Sequence, residues 1–481
     1  MIARRACAAL LALGPAWADP VFEPVAMPEH VYSGGWEHFV GGGVAVFDCD
    51  GDDLPEIVAA GGAAPAALMR NGGGMVFARG DMPEIVGATG VYALDLDGDG
   101  AKDLVVTRVG PNMVLRGDGA CGFVVDDMGV PAGDAWTTAF SATWVEDEPV
   151  LAFGNYVDRD DPEGPFEACD DNLVLRGGEA VVLTPGFCAL SVLFSDEDRD
   201  GVPTLRLSND RHYYVRGGAE QMWALEGRFL GPKDGFEAPS IWGMGIASRD
   251  ISGDGRPDLV LTSMGDQLTM LSTENGHRMA PFEIGSFAQR PHVGEDGRPS
   301  TGWHAEWGDV DNDGDADLFI AKGNVDQMPG MAMADPNNLL LNEGGVFREV
   351  SVGAGVASMH RGRGGALADL DLDGRLDLVV VNRRAPMEVW RNVSAAGNAV
   401  SVSLVQAGGN RDAVGAWVEV RTEAGVQGQE LTLGGGHGGD AVAPLHFGIG
   451  EAAEADLRVI WPDGAVGDWQ RVTAGRLTIR R

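Results

Sequence analysis

Six short acidic clusters recur along the chain with one spacing, and their side chains are the ones best suited to chemistry. Asp48, Asp50 and Asp52 are followed by Glu56; Asp95, Asp97 and Asp99 by Asp103; Asp196, Asp198 and Asp200 by Thr204. Asp250, Ser252 and Asp254 precede Asp258; Asp309, Asp311 and Asp313 precede Asp317; Asp369, Asp371 and Asp373 precede Asp377. Oxygen-bearing side chains thus stand at positions 1, 3, 5 and 9, and Gly fills position 6 in five of the six loops, where the chain must turn sharply. Carboxylates at the first three positions, a backbone carbonyl at the seventh and a carboxylate at the ninth can wrap one hard cation in oxygen. That suits Ca2+, with its about six to eight flexible ligands, better than Mg2+. The alternative, acidic turns that bind nothing, leaves converging carboxylates to repel one another. An EF-hand is excluded, because its loop ends on Glu and position 12 here is Ala59, Val106, Leu207, Leu261, Ile320 or Val380. Up to six structural Ca2+ sites are expected, the weakest at 196, where Thr204 stands at position 9.

The flanks show what must position these loops. Short β-rich runs such as Gly43–Phe47 precede each loop, and runs such as Leu378–Val381 follow it, so each loop is the tip of a hairpin. A second hairpin follows, as at 338–350, which makes each repeat four-stranded. The loops begin at 48, 95, 196, 250, 309 and 369; the double interval between 95 and 196 predicts a unit near 143–151 whose loop has decayed. The fold class is therefore all-β: a seven-bladed β-propeller with calcium-loop hairpins, followed by a small C-terminal β-domain. The last blade lacks a fourth strand of its own, and Val21–Val25 is expected to supply it, with Pro24 on an outer edge.

Charge and targeting narrow the function. The 481 residues carry 72 acidic against 35 basic side chains, a formal charge of −37, which argues against a nucleic-acid partner. Arg4 and Arg5, the apolar run 6–13 and Ala16-Trp17-Ala18 read as a signal peptide over 1–18, with the mature chain starting at Asp19. No stretch reads as a membrane span, so an exported monomer is expected, either periplasmic or extracellular. Cys49, Cys121, Cys169 and Cys188 remain after cleavage; Cys169 with Cys188 closes the shorter loop and is favoured, leaving Cys49 with Cys121.

The loops and their hairpins resemble the FG-GAP (VCBS) repeats of integrin α-subunit propellers. Beyond about residue 395, the stretches 409–416, 445–450 and 459–464 resemble the ASPIC/UnbV domain. Together they resemble the cartilage acidic protein 1 family, and that resemblance implies secretion and calcium binding. The domains are read as 19–393, a propeller whose third blade lacks its calcium loop, and 394–481, an ASPIC/UnbV-like β-domain.

On the face opposite the cation loops, strand ends carry His38, Trp242, His304, Glu306, His360, Arg361, Arg211, Lys322 and Arg383, a set suited to an anionic or carbohydrate ligand. The competing reading is that these residues pair with neighbouring carboxylates and lock the blades together. Enzyme motifs such as HExxH, G-x-S-x-G and the P-loop are absent. The Gly-rich run 434–440 reads as a flexible turn, and the Arg-Gly-Asp triplets at 79–81 and 116–118 read as hairpin turns. The expected function is that of an adhesion-like binding or interaction protein for a protein or carbohydrate, with no catalytic residue assigned. The alternatives are a hydrolase or lyase acting on an anionic polymer, or a periplasmic assembly factor.

Overall fold

The structure, a computed structural model, describes residues 18–159, 168–210, 218–274, 276–294, 296–326 and 328–481. The signal-peptide reading, apart from Ala18, and Arg211 lie outside the described residues.

Every cation loop joins its two strands in the same register. The residue before position 1 pairs with position 9: Phe47 with Glu56, Leu94 with Asp103, Ser195 with Thr204, Arg249 with Asp258, Gly308 with Asp317 and Ala368 with Asp377. The ninth side chain is thereby carried back to the mouth of the loop it closes. The third sheet differs: Val145 pairs with Glu148 across Glu146 and Asp147, which sit at φ 51° and 67°. This two-residue turn matches the strand twist and leaves no room for a cation.

Among the described residues before 394, seven sheets each hold four antiparallel strands, and the sheet of Val44–Phe47 carries a fifth, parallel strand from the C-terminal part. Their first strands pack in a cycle, from Val44–Phe47 through Ala88–Leu94, Thr137–Val145, Ala189–Ser195, Gly243–Arg249, Gly302–Gly308 and Arg361–Ala368 back to Val44–Phe47. That closed ring is a β-propeller. Phe22–Pro24 pairs with Glu388–Asn392 as the outer strand of the last sheet and buries Phe22 against Trp390 and Leu341. The N-terminal strand thus closes the ring as the sequence predicts. Inner strands are buried on both faces, whereas outer strands such as Phe77–Arg79 bury one residue and expose two. Both expected disulfides form, Cys49–Cys121 and Cys169–Cys188.

Asn398–Val405, Leu445–Gly450 and Gly475–Arg480 make a three-stranded sheet, and Trp417–Arg421, Val426–Glu430, Glu454–Ile460 and Gln470–Thr473 a four-stranded one. The two share a core of Val402, Val418, Phe447, Leu457 and Trp461. Among the described residues, no helix is long and apolar enough to cross a membrane.

Candidate cation loops and the filled channel

Position 6 of every loop turns at positive φ, from 73° at Asp53 to 106° at Gly314, and aims its N–H inward. It donates to the position-1 carboxylate in all six loops, for example Gly100 to Asp95 at 2.9 Å and Gly314 to Asp309 at 2.8 Å. The position-9 carboxylate is a latch. Its two oxygens accept one N–H from position 2 of its own loop and one from the end of the third strand. Asp317 takes Val310 and Asn342, both at 2.8 Å; Asp377 takes Leu370 at 2.9 Å and Asn392 at 2.8 Å. Glu56, Asp103 and Asp258 repeat the pattern. Thr204 cannot, so the loop at 196 lacks this tie.

Carboxylate oxygens of Asp48, Asp50 and Glu56, of Asp95, Asp97 and Asp99, of Asp196, Asp198 and Asp200, and of Asp309, Asp311 and Asp317 each converge within 4.8 Å. The position-3 aspartates divide their oxygens. Asp50 and Asp371 each give Oδ2 to an arginine of the third strand, Arg70 at 2.5 Å and Arg391 at 2.6 Å, and each keeps a buried Oδ1 with no partner. Buried Oδ1 atoms of Asp95, Asp196 and Asp311 are equally unpartnered. Burial pushes the carboxyls of Asp95, Asp196, Asp250 and Asp369 up to about 6 and that of Asp377 to about 8, and like charges nearby add to the effect. Asp309 and Asp317 are raised for the same two reasons. Unpartnered oxygens in an acidic, half-buried cage fit a hard divalent cation, which would supply the missing counter-charge.

The C-terminal sheets sit on this loop face. Lys102 meets Asp412 at 2.5 Å, Arg199 meets Glu419 at 3.1 Å, and His446 Nε2 lies 2.7 Å from Asn312 Oδ1. Residues 433–442 then leave the domain and thread the propeller's channel. Leu433 O accepts the Ser141 hydroxyl at 2.6 Å, and Gly435 and Gly436 donate to Val192 O and Ile246 O at 2.9 and 2.7 Å. Gly438 O accepts Val91 N–H at 2.9 Å, and Ala441–Val442 adds a parallel strand beside Val44–Phe47. The flexible turn expected at 434–440 is therefore a buried plug. Only glycine lets it pass: a Cβ on Gly43 would lie 1.6 Å from Gly438 O, and one on Gly439 2.0 Å from Val44 O.

At the plug's tip His437 packs on Trp303, ring centroids 4.9 Å apart, and its N–H donates to His304 Nδ1 at 3.0 Å. Nδ1 being an acceptor, Nε2 carries the proton and donates to Glu306 Oε2 at 3.3 Å. Glu306 also accepts Leu367 N–H at 2.8 Å. Burial holds His304 neutral, down to about 3, and raises Glu306 and Asp440 to about 8. His304, Glu306, Asp440, Glu430, Arg249 and His446 line a chamber of about 110 Å3 between plug and propeller.

The structure divides the other mouth residues. Lys322 is fully buried on Asp335 (3.2 Å) and Asn338 (2.9 Å). Arg383, also buried, donates to His38 O, Gly34 O and Gly35 O. Trp242 is half-buried beside Met244 and Trp303. Arg361, His360 and His38 stay at the rim with Arg384, and Asp326 receives Arg384 at 3.0 Å, Arg361 at 3.3 Å and Arg383 at 3.6 Å. Behind them Trp36, Phe39, Trp136 and Tyr156 stack edge and face, so an aromatic floor replaces the open funnel. Arg116 is tied to Asp97 and Asp126, which builds one Arg-Gly-Asp triplet into its blade. Sequence reasoning missed Asp440, Glu430 and Arg249. The available signal was glycine at 43, 90 and 245 in inner strands, matching the glycines at 434–439.

Residues 48–106 and 250–320 match the FG-GAP-like repeat, and residues 406–480 match ASPIC and UnbV. The chain is 24% identical over 238 residues to human cartilage acidic protein 1, a match covering 48% of this chain and 34% of that protein. Among solved structures, BBS1N in complex with ARL6DN aligns at TM-score 0.46 and 12% identity over 78% of this chain and 96% of that one. The extracellular domain of a putative hybrid two-component system from B. thetaiotaomicron aligns at TM-score 0.42 and 9% identity, covering 96% and 58%. Fold and loops thus define a β-propeller of FG-GAP-like repeats joined to an ASPIC and UnbV domain. In both parts the chain is similar to cartilage acidic protein 1, of whose length the match spans about a third.

Proposed function

We propose that the chain is an exported, calcium-loaded binding protein that takes an anionic ligand on the face opposite its cation loops. The observation that carries this reading is the convergence of Arg361, Arg383 and Arg384 on one carboxylate, Asp326. Three guanidinium groups sharing one counter-ion, on a molecule of net charge −37, concentrate positive charge where little else offers it. Arg361 and Arg384 remain partly exposed, so their planar donors can reach a carboxylate or sulfate outside the protein. The cation loops lie at the other ends of the same strands. Bound Ca2+ there neutralises the aspartates and stiffens each hairpin, which holds the rim in shape. The propeller occupies 19–393 and the second domain 394–481, and the two disulfides suit an oxidising compartment outside the cytoplasm.

Binding of the calcium-loaded protein to sulfated, uronate and neutral glycans tests this reading. Polyanions should bind and neutral glycans should not, and Arg361→Ala with Arg384→Ala should weaken polyanion binding at least about tenfold, the loss of one charge-assisted contact. Equal binding by the double variant overturns the site. Breakdown products in the same samples would make the protein an enzyme, although His304 and Glu306 lie inside the molecule, away from this rim.

A further inference from the structure

Three of the six cation loops are wired together by one repeated kind of contact. The wire runs through the asparagines that end the third strands. Asn392 donates its side-chain N–H groups to Leu376 O of its own loop at 3.1 Å and to Val310 O of the preceding blade's loop at 2.8 Å. Asn71 does the same one blade on, to Pro55 O at 3.0 Å and Leu370 O at 2.8 Å. The carbonyl reached across the blade boundary belongs in both cases to position 2, the residue between two cation ligands. The N–H of that same residue is held by its own position-9 carboxylate, Asp317 for Val310 and Asp377 for Leu370. The backbone N–H groups of Asn392 and Asn71 bind the position-9 carboxylates of their own loops, at 2.8 and 3.4 Å. A continuous path therefore links Asp317, Val310, Asn392, Asp377, Leu370, Asn71 and Glu56. A second tie joins two of these loops directly, Asn312 side-chain N–H to Gly374 O at 2.9 Å.

The remaining loops lack the asparagine connector, although Arg199 of the loop at 196 donates to Gly255 O of the loop at 250 at 2.7 Å, and Cys121 N–H of the second blade donates to Cys49 O at 3.2 Å. Gly117 and Ser272 stand where the asparagines would be; Gly117 has no side chain, and Ser272 turns its hydroxyl to Asp254 of its own loop. Asn342 reaches its own Ala316 O, and no bond to the preceding loop is present among the described residues.

A cation that draws the carboxylates of a loop together against their mutual repulsion would move position 2 with its neighbours at positions 1 and 3. We propose that the loops at 309–317, 369–377 and 48–56 bind calcium as one cooperative unit, with Asn392 and Asn71 as the positioning residues that couple them, and that the loops at 196 and 250 lie outside this unit. This rests on the calcium reading above. Sites that share a mechanical link show reciprocal effects on affinity, so emptying one must weaken its wired neighbour.

Calcium titration of the full chain by calorimetry, after chelator treatment and desalting, tests it. The wild-type isotherm should contain a steep phase of three ions with a Hill coefficient above 1, beside a shallow phase for the rest. Asp50→Asn in the first loop should lower affinity at 309–317 and 369–377 by about fivefold or more, the lower end of coupling between linked sites. Asp254→Asn, in a loop outside this unit, should remove one ion and leave the steep phase intact. Asn392→Ala, chosen if it melts as the wild type does in chelator, should leave the number of ions unchanged and flatten the slope. Independent binding by all sites, or equal effects of Asp50→Asn and Asp254→Asn, overturns the coupling while leaving calcium binding in place. No calcium uptake at all overturns the calcium reading and the coupling with it.

Discussion

Replacing Gly43 by Ala tests whether the plug is integral to the fold. The new methyl carbon would stand 1.6 Å from Gly438 O and 2.2 Å from its carbonyl carbon, both backbone atoms with no rotamer to escape into. Restoring ordinary contact needs roughly 2 Å of separation between the inner strand and the plug, in an interior packed as densely as an organic crystal. That movement parts Gly438 O from Val91 N–H and pulls on the neighbouring Val46 N–H to Asp440 O bond, at 2.9 and 3.3 Å. One or two buried backbone groups left unpaired cost about 1–3 kcal/mol each, and overpacking adds about 1–3 kcal/mol. The expected loss is about 3–6 kcal/mol, read as a lower urea midpoint by tryptophan fluorescence at saturating calcium, with new protease cleavage within 433–442. Gly231→Ala is the control, since its Cβ meets nothing within 4 Å and its backbone is extended, at φ −151° and ψ −167°; it should stay within about 0.5 kcal/mol. If Gly43→Ala unfolds within about 1 kcal/mol of the wild type and resists protease equally, the plug is not held as described.

Alkaline pH should loosen the same chamber. Glu306 and Asp440 are raised to about 8 by burial, so the stability they contribute is complete below about 4, their unfolded range, and is lost as pH rises through 8. The urea midpoint should fall between pH 6 and pH 9 and fall less in Glu306→Gln; a flat wild-type profile contradicts this. The disulfides should differ in weight. Cys49–Cys121 spans 72 residues and Cys169–Cys188 spans 19, so chain entropy assigns about 4 and about 3 kcal/mol, and paired Cys→Ser variants should melt in that order.

The blades and their loops were legible because their signals are local. Asp at alternate positions, a turn residue at the sixth and an apolar run on each side lie within a dozen residues, and a hairpin register fixes the rest. The N-terminal strand was legible as the missing member of a repeat. The mouth was only partly so: strand polarity placed Arg361 and His360 at the rim, but it could not say that Lys322 and Arg383 turn inward to Asp335 and to backbone carbonyls.

By itself, the amino-acid order determined the repeat, the acidic loops and the ring's closure, since each follows from residues near in sequence or from the count of equivalent strands. Tertiary structure alone decided that the C-terminal domain covers the loop face, that residues 433–442 fill the channel, and that Asn71 and Asn392 tie three loops together. Those contacts join atoms up to hundreds of residues apart. What selects them is steric fit between glycines, and carbonyls needing donors, which leaves no periodic trace in the sequence.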